Sequence, residues 1–284
     1  MPIKNNIRTT KSTAGETLSI LSKSEAISVL IFTEHNSIVD HLTGMLNAMY
    51  NIRYRIISAR ILENLCTHCK ERVNQPLLLQ KVLSEILTTK TKPEAQVSDQ
   101  ERTISVSEEH EGRKHGISLL GDDEEMQCPK HNDKMAHDNA SVERVNEDES
   151  EMKKMQEALL SLTLVLLGEF NGAERSAPMI PGNGPDGAFL ERLKDIVDNY
   201  CQCQLTPISI SIVKLCGQIA KSVMRGNRCT NDQKKEFVES LSKASETMAN
   251  LETCVLFTGN DCGMERIGRP LLSDLEEELK DLVA

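Results

Sequence analysis

The chain has 284 residues and a formal net charge of −10 at pH 7; 39% of its residues are hydrophobic and only 3% are aromatic. The acidic balance argues against general nucleic-acid binding, which needs a basic surface. A core of Leu, Ile, Val, Met and Ala suits stacked helices better than a β-sandwich. We therefore expect an all-α protein without a nucleic-acid partner.

The cysteines and the N-terminus indicate the compartment. There are nine cysteines, an odd number, and the N-terminus lacks the apolar segment of a secretory signal. This combination predicts reduced thiols and a location in the cytosol or the nucleus. The most apolar run, residues 158–168, is far shorter than the ~20 residues of a membrane-spanning helix. We expect no membrane span in this chain.

The first helical block is expected to cover residues 13–88, after a polar and flexible N-terminus at 1–12. Thr13 and Glu16 form a capping-box pattern at its start. Inside it, two stretches on either side of residues 50–51 carry apolar residues at helical spacing, and Asn36 is placed to cap the first. Two such helices cannot bury both apolar faces against each other alone, which is the condition for stacking into a solenoid.

A change of composition follows at residues 89–150. This segment has sixteen Asp and Glu against eight Lys and Arg, and no sustained apolar period. It cannot bury enough surface to offset the entropy of ordering, so we predict an acidic disordered linker. Ser98 and Ser105 each precede an acidic residue by three positions, a short pattern for acidophilic phosphorylation.

The second helical block is expected at residues 151–258. Apolar residues again recur at helical spacing, and Thr206 followed by Pro207 marks one helix start. We expect the remaining residues, 259–284, to form an acidic C-terminal tail that is weakly helical from Ser273.

The segment SARILENLC resembles the third helix of an armadillo repeat, in which Ala59, Leu62, Asn64 and Leu65 fit the pattern. A weaker echo is ASETMANLETC, with Asn250 in the place of Asn64. Together with TPISISIVKLCGQIAKSV, these segments resemble the plant armadillo-repeat superfamily. The resemblance implies an armadillo-type α-solenoid over residues 24–88 and 151–258, interrupted by the acidic insert.

The same resemblance implies a non-enzymatic scaffold or adaptor that binds a protein partner in the solenoid groove. Asn64 and Asn250 match the groove Asn that hydrogen-bonds an extended peptide in armadillo proteins. Arg60 and Glu246 stand where those repeats carry a Trp, so a groove here would lack the stacking surface for lysine side chains. The acidic balance favours a basic extended peptide or helix as the partner. We expect no cofactor and no small-molecule substrate.

A metal site is the alternative of another class. Cys66 and Cys69 share one helical face, and thiolates at that spacing hold two corners of a zinc tetrahedron. The nearest further ligands, Cys128 and His131, lie in the acidic segment. The competing interpretation is that both thiols are small buried hydrophobes. The alternative function is a metal-stabilised regulatory protein.

No arrangement of residues argues for an enzyme. Residues 182–187 read GxGxxG, but no strand precedes them, and Pro185 removes a backbone N–H that would bind phosphate. We find no nucleophile with a base and no paired carboxylates with a pocket. Armadillo relatives are often longer and some carry hydrophobic N-terminal segments, so the resemblance implies membrane association only for longer forms. A truncated family member without independent function remains a further alternative.

Overall fold

The structure is a computed structural model that describes residues 3–35, 37–69, 73, 75–89, 135–170, 186–226, 229–258 and 270–283. All regular secondary structure in these ranges is helical, which confirms the all-α prediction. None of the helices within them combines the length and the hydropathy needed to cross a bilayer.

In the N-terminal half of the chain, the described residues form five helices. They are α1 (Ile3–Leu21), α2 (Glu25–Glu34), α3 (Ile38–Met45), α4 (Ile52–His68) and α5 (Gln75–Thr88). Helix α4 lies at the centre of this group and packs against α1, α2 and α3. Its apolar stripe explains this position, because Ile61, Leu62, Leu65 and Cys66 are almost completely buried.

The described residues that follow, from Met135 on, form five more helices. They are α6 (Met135–Phe170), α7 (Asp186–Gln202), α8 (Pro207–Arg225), α9 (Asn231–Thr258) and α10 (Leu272–Asp281). Helices α7, α8 and α9 pack against one another, and α10 packs against both α8 and α9. Helix α8 is the most enclosed of them: its residues 209–217 are all buried.

Local capping explains where two central helices begin. The Thr206 hydroxyl accepts a hydrogen bond from the Ser209 N–H at 3.3 Å, and Pro207 stands in the first turn of α8, as predicted. Asn51 caps α4 in the same way, because its Oδ1 accepts from the Arg53 N–H at 2.9 Å. The predicted cap Asn36 lies outside the described residues.

Helix α6 connects the two halves through polar contacts. Ser161 Oγ donates to Glu63 of α4 at 2.6 Å. On the other side, the Tyr200 hydroxyl of α7 donates to Gln156 Oε1 at 2.8 Å. Helix α8 is joined to α6 by Ser211, whose hydroxyl donates to Glu157 at 2.5 Å. These contacts and the apolar core make residues 1–91 and 147–284 one compact unit. The second unit is Lys92–Asn146, of which the structure describes only 135–146, in α6.

Two helix starts differ from the sequence-based boundaries. Helix α1 begins at Ile3, so residues 3–12 are helical where we predicted flexibility, and Thr13 and Glu16 lie inside the helix. Helix α6 begins at Met135, inside the segment predicted to be a disordered linker. Neither extension contains Pro or Gly. A helix nucleated by its packed turns therefore propagates outward without a breaker. Residues 90–134 of the predicted linker lie outside the described residues.

Candidate protein-binding surface

Arg60 lies on the exposed side of α4, at the wall of an open cavity of about 250 Å³ between α1, α4 and α6. The floor of the cavity is apolar and is made by Ile56 and Ile57. The charged residues that line it come from all three helices: Glu16, Arg53, Arg60, Glu151 and Lys154.

The charges of this cavity are only partly paired. Arg53 Nε donates to the Glu151 carboxylate, and Glu16 accepts a 3.4 Å hydrogen bond from Ser12. Within the described ranges, the side chains of Arg60 and Lys154 take part in no hydrogen bond or ion pair. The cavity therefore presents two cationic groups that can bind an anionic group of another molecule.

Asn64 lies one turn after Arg60 on the same helix but has internal partners. Its Nδ2 donates to the Ser19 carbonyl at 3.1 Å and to Ser22 Oγ at 2.8 Å. Ser19 and Ser22 are both buried where α1 ends, and Ser22 O in turn accepts from Ser28 of α2 at 2.6 Å. The Asn64 amide therefore anchors the α1–α2 turn onto α4, and this geometry supports a structural role.

Replacing Asn64 with Ala is expected to lower the free energy of unfolding by about 1–3 kcal/mol, because the buried Ser22 Oγ loses the hydrogen bond that it accepts and the Ser19 carbonyl keeps only the one from Ser22 Oγ. The matched control is Asn250→Ala on the exposed surface of α9, which should change stability by less than about 0.5 kcal/mol. Urea unfolding followed by circular dichroism measures both. Equal stability of the two variants would contradict the structural role of Asn64.

Glu246 and Asn250 are exposed on α9. Glu246 lies near α10: the hydrogen bond to Glu276 is the main cause that raises the pKa of Lys280, and the charges of Glu276, Glu277 and Glu246 add to it. Arg60, by contrast, faces α1 and α6. The four residues predicted to bind the partner are thus divided between α4 and α9, and the Asn64 amide is hydrogen-bonded to the end of α1.

Cys66 and Cys69 are buried at the C-terminal end of α4, and the Cys69 N–H donates to the Leu65 carbonyl at 2.8 Å. No group of three or more His, Cys, Asp or Glu that could hold a metal ion occurs in the part of the chain that the structure describes. The further ligands Cys128 and His131 lie outside that part. The metal hypothesis stays a prediction.

Two other sequence predictions fall on undescribed residues. Ser98 and Ser105, the predicted phosphorylation sites, lie outside the described ranges. So do residues 182–185 of the glycine-rich segment, whereas Gly187 belongs to the first turn of α7.

The sequence analysis missed Glu151 and Lys154 as neighbours of Arg60. They lie on α6, 91 and 94 positions further along the chain. No local pattern connects helices so far apart, because their contact depends on how α6 packs across α4. Their spacing of three residues on one helix face was the only available signal.

Comparisons with known proteins identify no neighbour. No protein-family model, no curated protein and no solved structure matches the chain. The likeness to armadillo repeats therefore rests on the residues quoted above.

Proposed function

We propose that the protein is a non-enzymatic, armadillo-type α-solenoid scaffold that binds a protein partner at the surface around Arg60. The observation that supports this most directly is the open cavity in which Arg60 and Lys154 have no described partner. Arg60 is also one of the residues that the armadillo likeness places at the groove.

The order of contacts supports a stacked arrangement. Helix α6 is hydrogen-bonded to α4 on one side and to α7 and α8 on the other. Helix α7 is also bonded to α5, because Arg192 Nε donates to the Ile86 carbonyl at 3.3 Å. Hydrogen bonds between helices in this order are compatible with the stacking expected of a solenoid.

The local charges indicate what the partner presents at this surface. A carboxylate placed between Arg60 and Lys154 would make charge-assisted hydrogen bonds with both. The apolar floor of Ile56 and Ile57 accommodates the aliphatic part of the same side chain. The basic extended peptide or helix expected in the groove from the net charge of −10 remains a prediction.

The test compares two charge reversals of exposed helical cations. Arg60→Glu places a carboxylate in the cavity, and Lys235→Glu makes the same change of net charge on the exposed side of α9. Each tagged variant is used to recover partners from a native extract, with quantitative mass spectrometry as the readout. We expect a partner retained by the wild type and Lys235→Glu, and reduced about tenfold or more by Arg60→Glu.

Thermal unfolding of both variants tests whether a loss of binding is caused by a loss of stability. Both residues are exposed, so both melting temperatures should stay close to that of the wild type. A set of recovered proteins that does not change with Arg60→Glu would place binding elsewhere and contradict the proposal.

A further inference from the structure

Helix α10 lies in a groove between α8 and α9. Leu272, Leu275 and Leu279 follow one face of α10, and each is at most 1% exposed. The opposite face carries Glu277 and Asp281, which are exposed. This amphipathic helix therefore fills the groove through a single leucine stripe.

Polar contacts fix the N-terminal end of α10. The Leu272 N–H donates to Glu252 Oε1 of α9 at 3.3 Å. The same oxygen lies 2.5 Å from Lys214 Nζ of α8. Both side chains are only about one-tenth exposed. The first turn of α10 is thus held by a buried ion pair that spans both walls of the groove.

Two further contacts set the position of α10 along the groove. Ser242 Oγ of α9 donates to Glu276 Oε1 at 2.7 Å, and Lys221 Nζ of α8 donates to Glu278 Oε2 at 2.6 Å. Partial burial opposes ionisation of Glu276. The hydrogen bonds from Lys280 and Ser242 outweigh it and hold the pKa of that carboxyl below its ordinary value.

The floor of the groove is shaped for the leucine stripe. Gly217 of α8 is buried, and a Cβ added there would lie 3.3 Å from Leu275 Cδ1. This is tighter than ordinary van der Waals contact, so glycine permits the close approach of α10 to α8. Apolar fit, ion pairs and a shaped floor together define a specific site for a helix with leucines at positions i, i+3 and i+7.

We propose that this groove is a helix-binding site whose occupant can be α10 of a second copy of the chain. A second copy presents the same leucines to Gly217 and the same carboxylates to Ser242 and Lys221, so an exchanged helix would reproduce the contacts described above. All of these contacts are made with α8 or α9. The inference is independent of the surface around Arg60.

The length of chain before α10 allows the exchange. Eleven residues, 259–269, separate α9 from Pro270. A segment of that length spans at most about 40 Å when extended. Exchange of a terminal element across such a connection is a low-cost route to a symmetric dimer.

The first experiment measures whether an emptied groove accepts the helix. The acceptor is the full chain with Leu275→Asp and Leu279→Asp, which removes the affinity of its own α10 for the groove. The probe is a fluorescent peptide of residues 270–284. Fluorescence anisotropy should show binding to this variant and binding at least about tenfold weaker to the wild type, where the groove is already occupied. A peptide carrying Leu275→Asp is the negative control and should bind neither protein.

The second experiment tests exchange between copies. Gly217→Leu blocks the groove and leaves the sequence of α10 intact, so this variant is a helix donor. Mixed with the Leu275→Asp, Leu279→Asp acceptor, it should give a heterodimer by light scattering after size exclusion. Each variant alone should remain a monomer.

Circular dichroism checks that the acceptor is folded. If it is not, Glu276→Ala with Glu278→Lys replaces it, because these changes on α10 remove the hydrogen bond from Ser242 and repel Lys221 while they leave the walls of the groove unchanged. A folded acceptor that does not bind the peptide would overturn the helix-binding site. Peptide binding without a heterodimer would overturn the assignment to a second copy.

Discussion

Replacing Glu252 with Ala is expected to lower the free energy of unfolding by about 3–5 kcal/mol, because the change leaves the charge of Lys214 buried without its partner. The two side chains are each about one-tenth exposed, and their ion pair is 2.5 Å long. The Leu272 N–H would lose an acceptor in the same change. Urea denaturation at fixed pH measures the loss.

Two comparisons separate the buried charge from a general effect of truncation. Replacing both partners, Lys214→Met with Glu252→Leu, should recover most of the lost stability, since no isolated charge remains. Glu278→Ala removes the partner of Lys221 in a pair with a half-exposed carboxylate, and it should cost less than about 1 kcal/mol. A Glu252→Ala variant as stable as Glu278→Ala would contradict the burial of the pair.

Arg55→Met is expected to cost about 2–3 kcal/mol of unfolding free energy. Arg55 is buried in α4; its Nε donates to the Leu46 carbonyl at the end of α3, at 2.8 Å, and its Nη2 donates to Glu85 of α5 at 3.1 Å. The substitution keeps much of the apolar volume but removes both donors. Lys81 still pairs with Glu85 at 2.8 Å, so the carboxylate does not become fully isolated.

The same substitution five residues later is the control. Arg60→Met removes an exposed guanidinium with no described partner, so stability should change by less than about 0.5 kcal/mol. The amount of partner recovered should change in the opposite order. Arg60→Met should reduce it more than Arg55→Met does, and by more than its small effect on stability would explain. Thermal unfolding and partner recovery on the two variants therefore distinguish a residue that maintains the fold from one that binds. Similar destabilisation by both would contradict the different environments of the two arginines.

These two predictions concern residues that determine which helices meet. Arg55 connects α3, α4 and α5, and the Lys214–Glu252 pair connects α8, α9 and the start of α10. Apolar packing alone tolerates several arrangements of similar helices, whereas a buried charge tolerates only positions where its partner is present. We expect such pairs to specify the helix order in this protein as well as to stabilise it.

Several features were predictable because they depend on neighbours in the chain. The cap at Thr206 needs only the following residues of α8, and Pro207 is favourable in any first helical turn. The apolar stripes that predicted the helices contain the core residues Ile61, Leu65 and Ile212. The same reasoning missed the start of α1, because it took Thr13 as a cap although nothing before it interrupts the helix.

Contacts between residues that are far apart in the chain were not predictable from local sequence patterns. Asn64 shows the difficulty: its match to a groove position says nothing about Ser19 and Ser22, which lie more than forty residues earlier. Whether such an Asn faces outward or inward depends on where the α1–α2 turn packs. That Glu151 and Lys154 line the same cavity as Arg60 was hidden for the same reason.

The amino-acid sequence by itself determined the helical class, the positions of the central helices and the composition of their apolar faces, because periodicity and capping act over a few residues. Only the tertiary structure decided which polar side chains are hydrogen-bonded inside the protein, which remain available to a partner around Arg60, and how α10 packs in its groove. The physical reason is that each of these depends on the close approach of helices that are far apart in the chain. A local pattern carries no information about those distances.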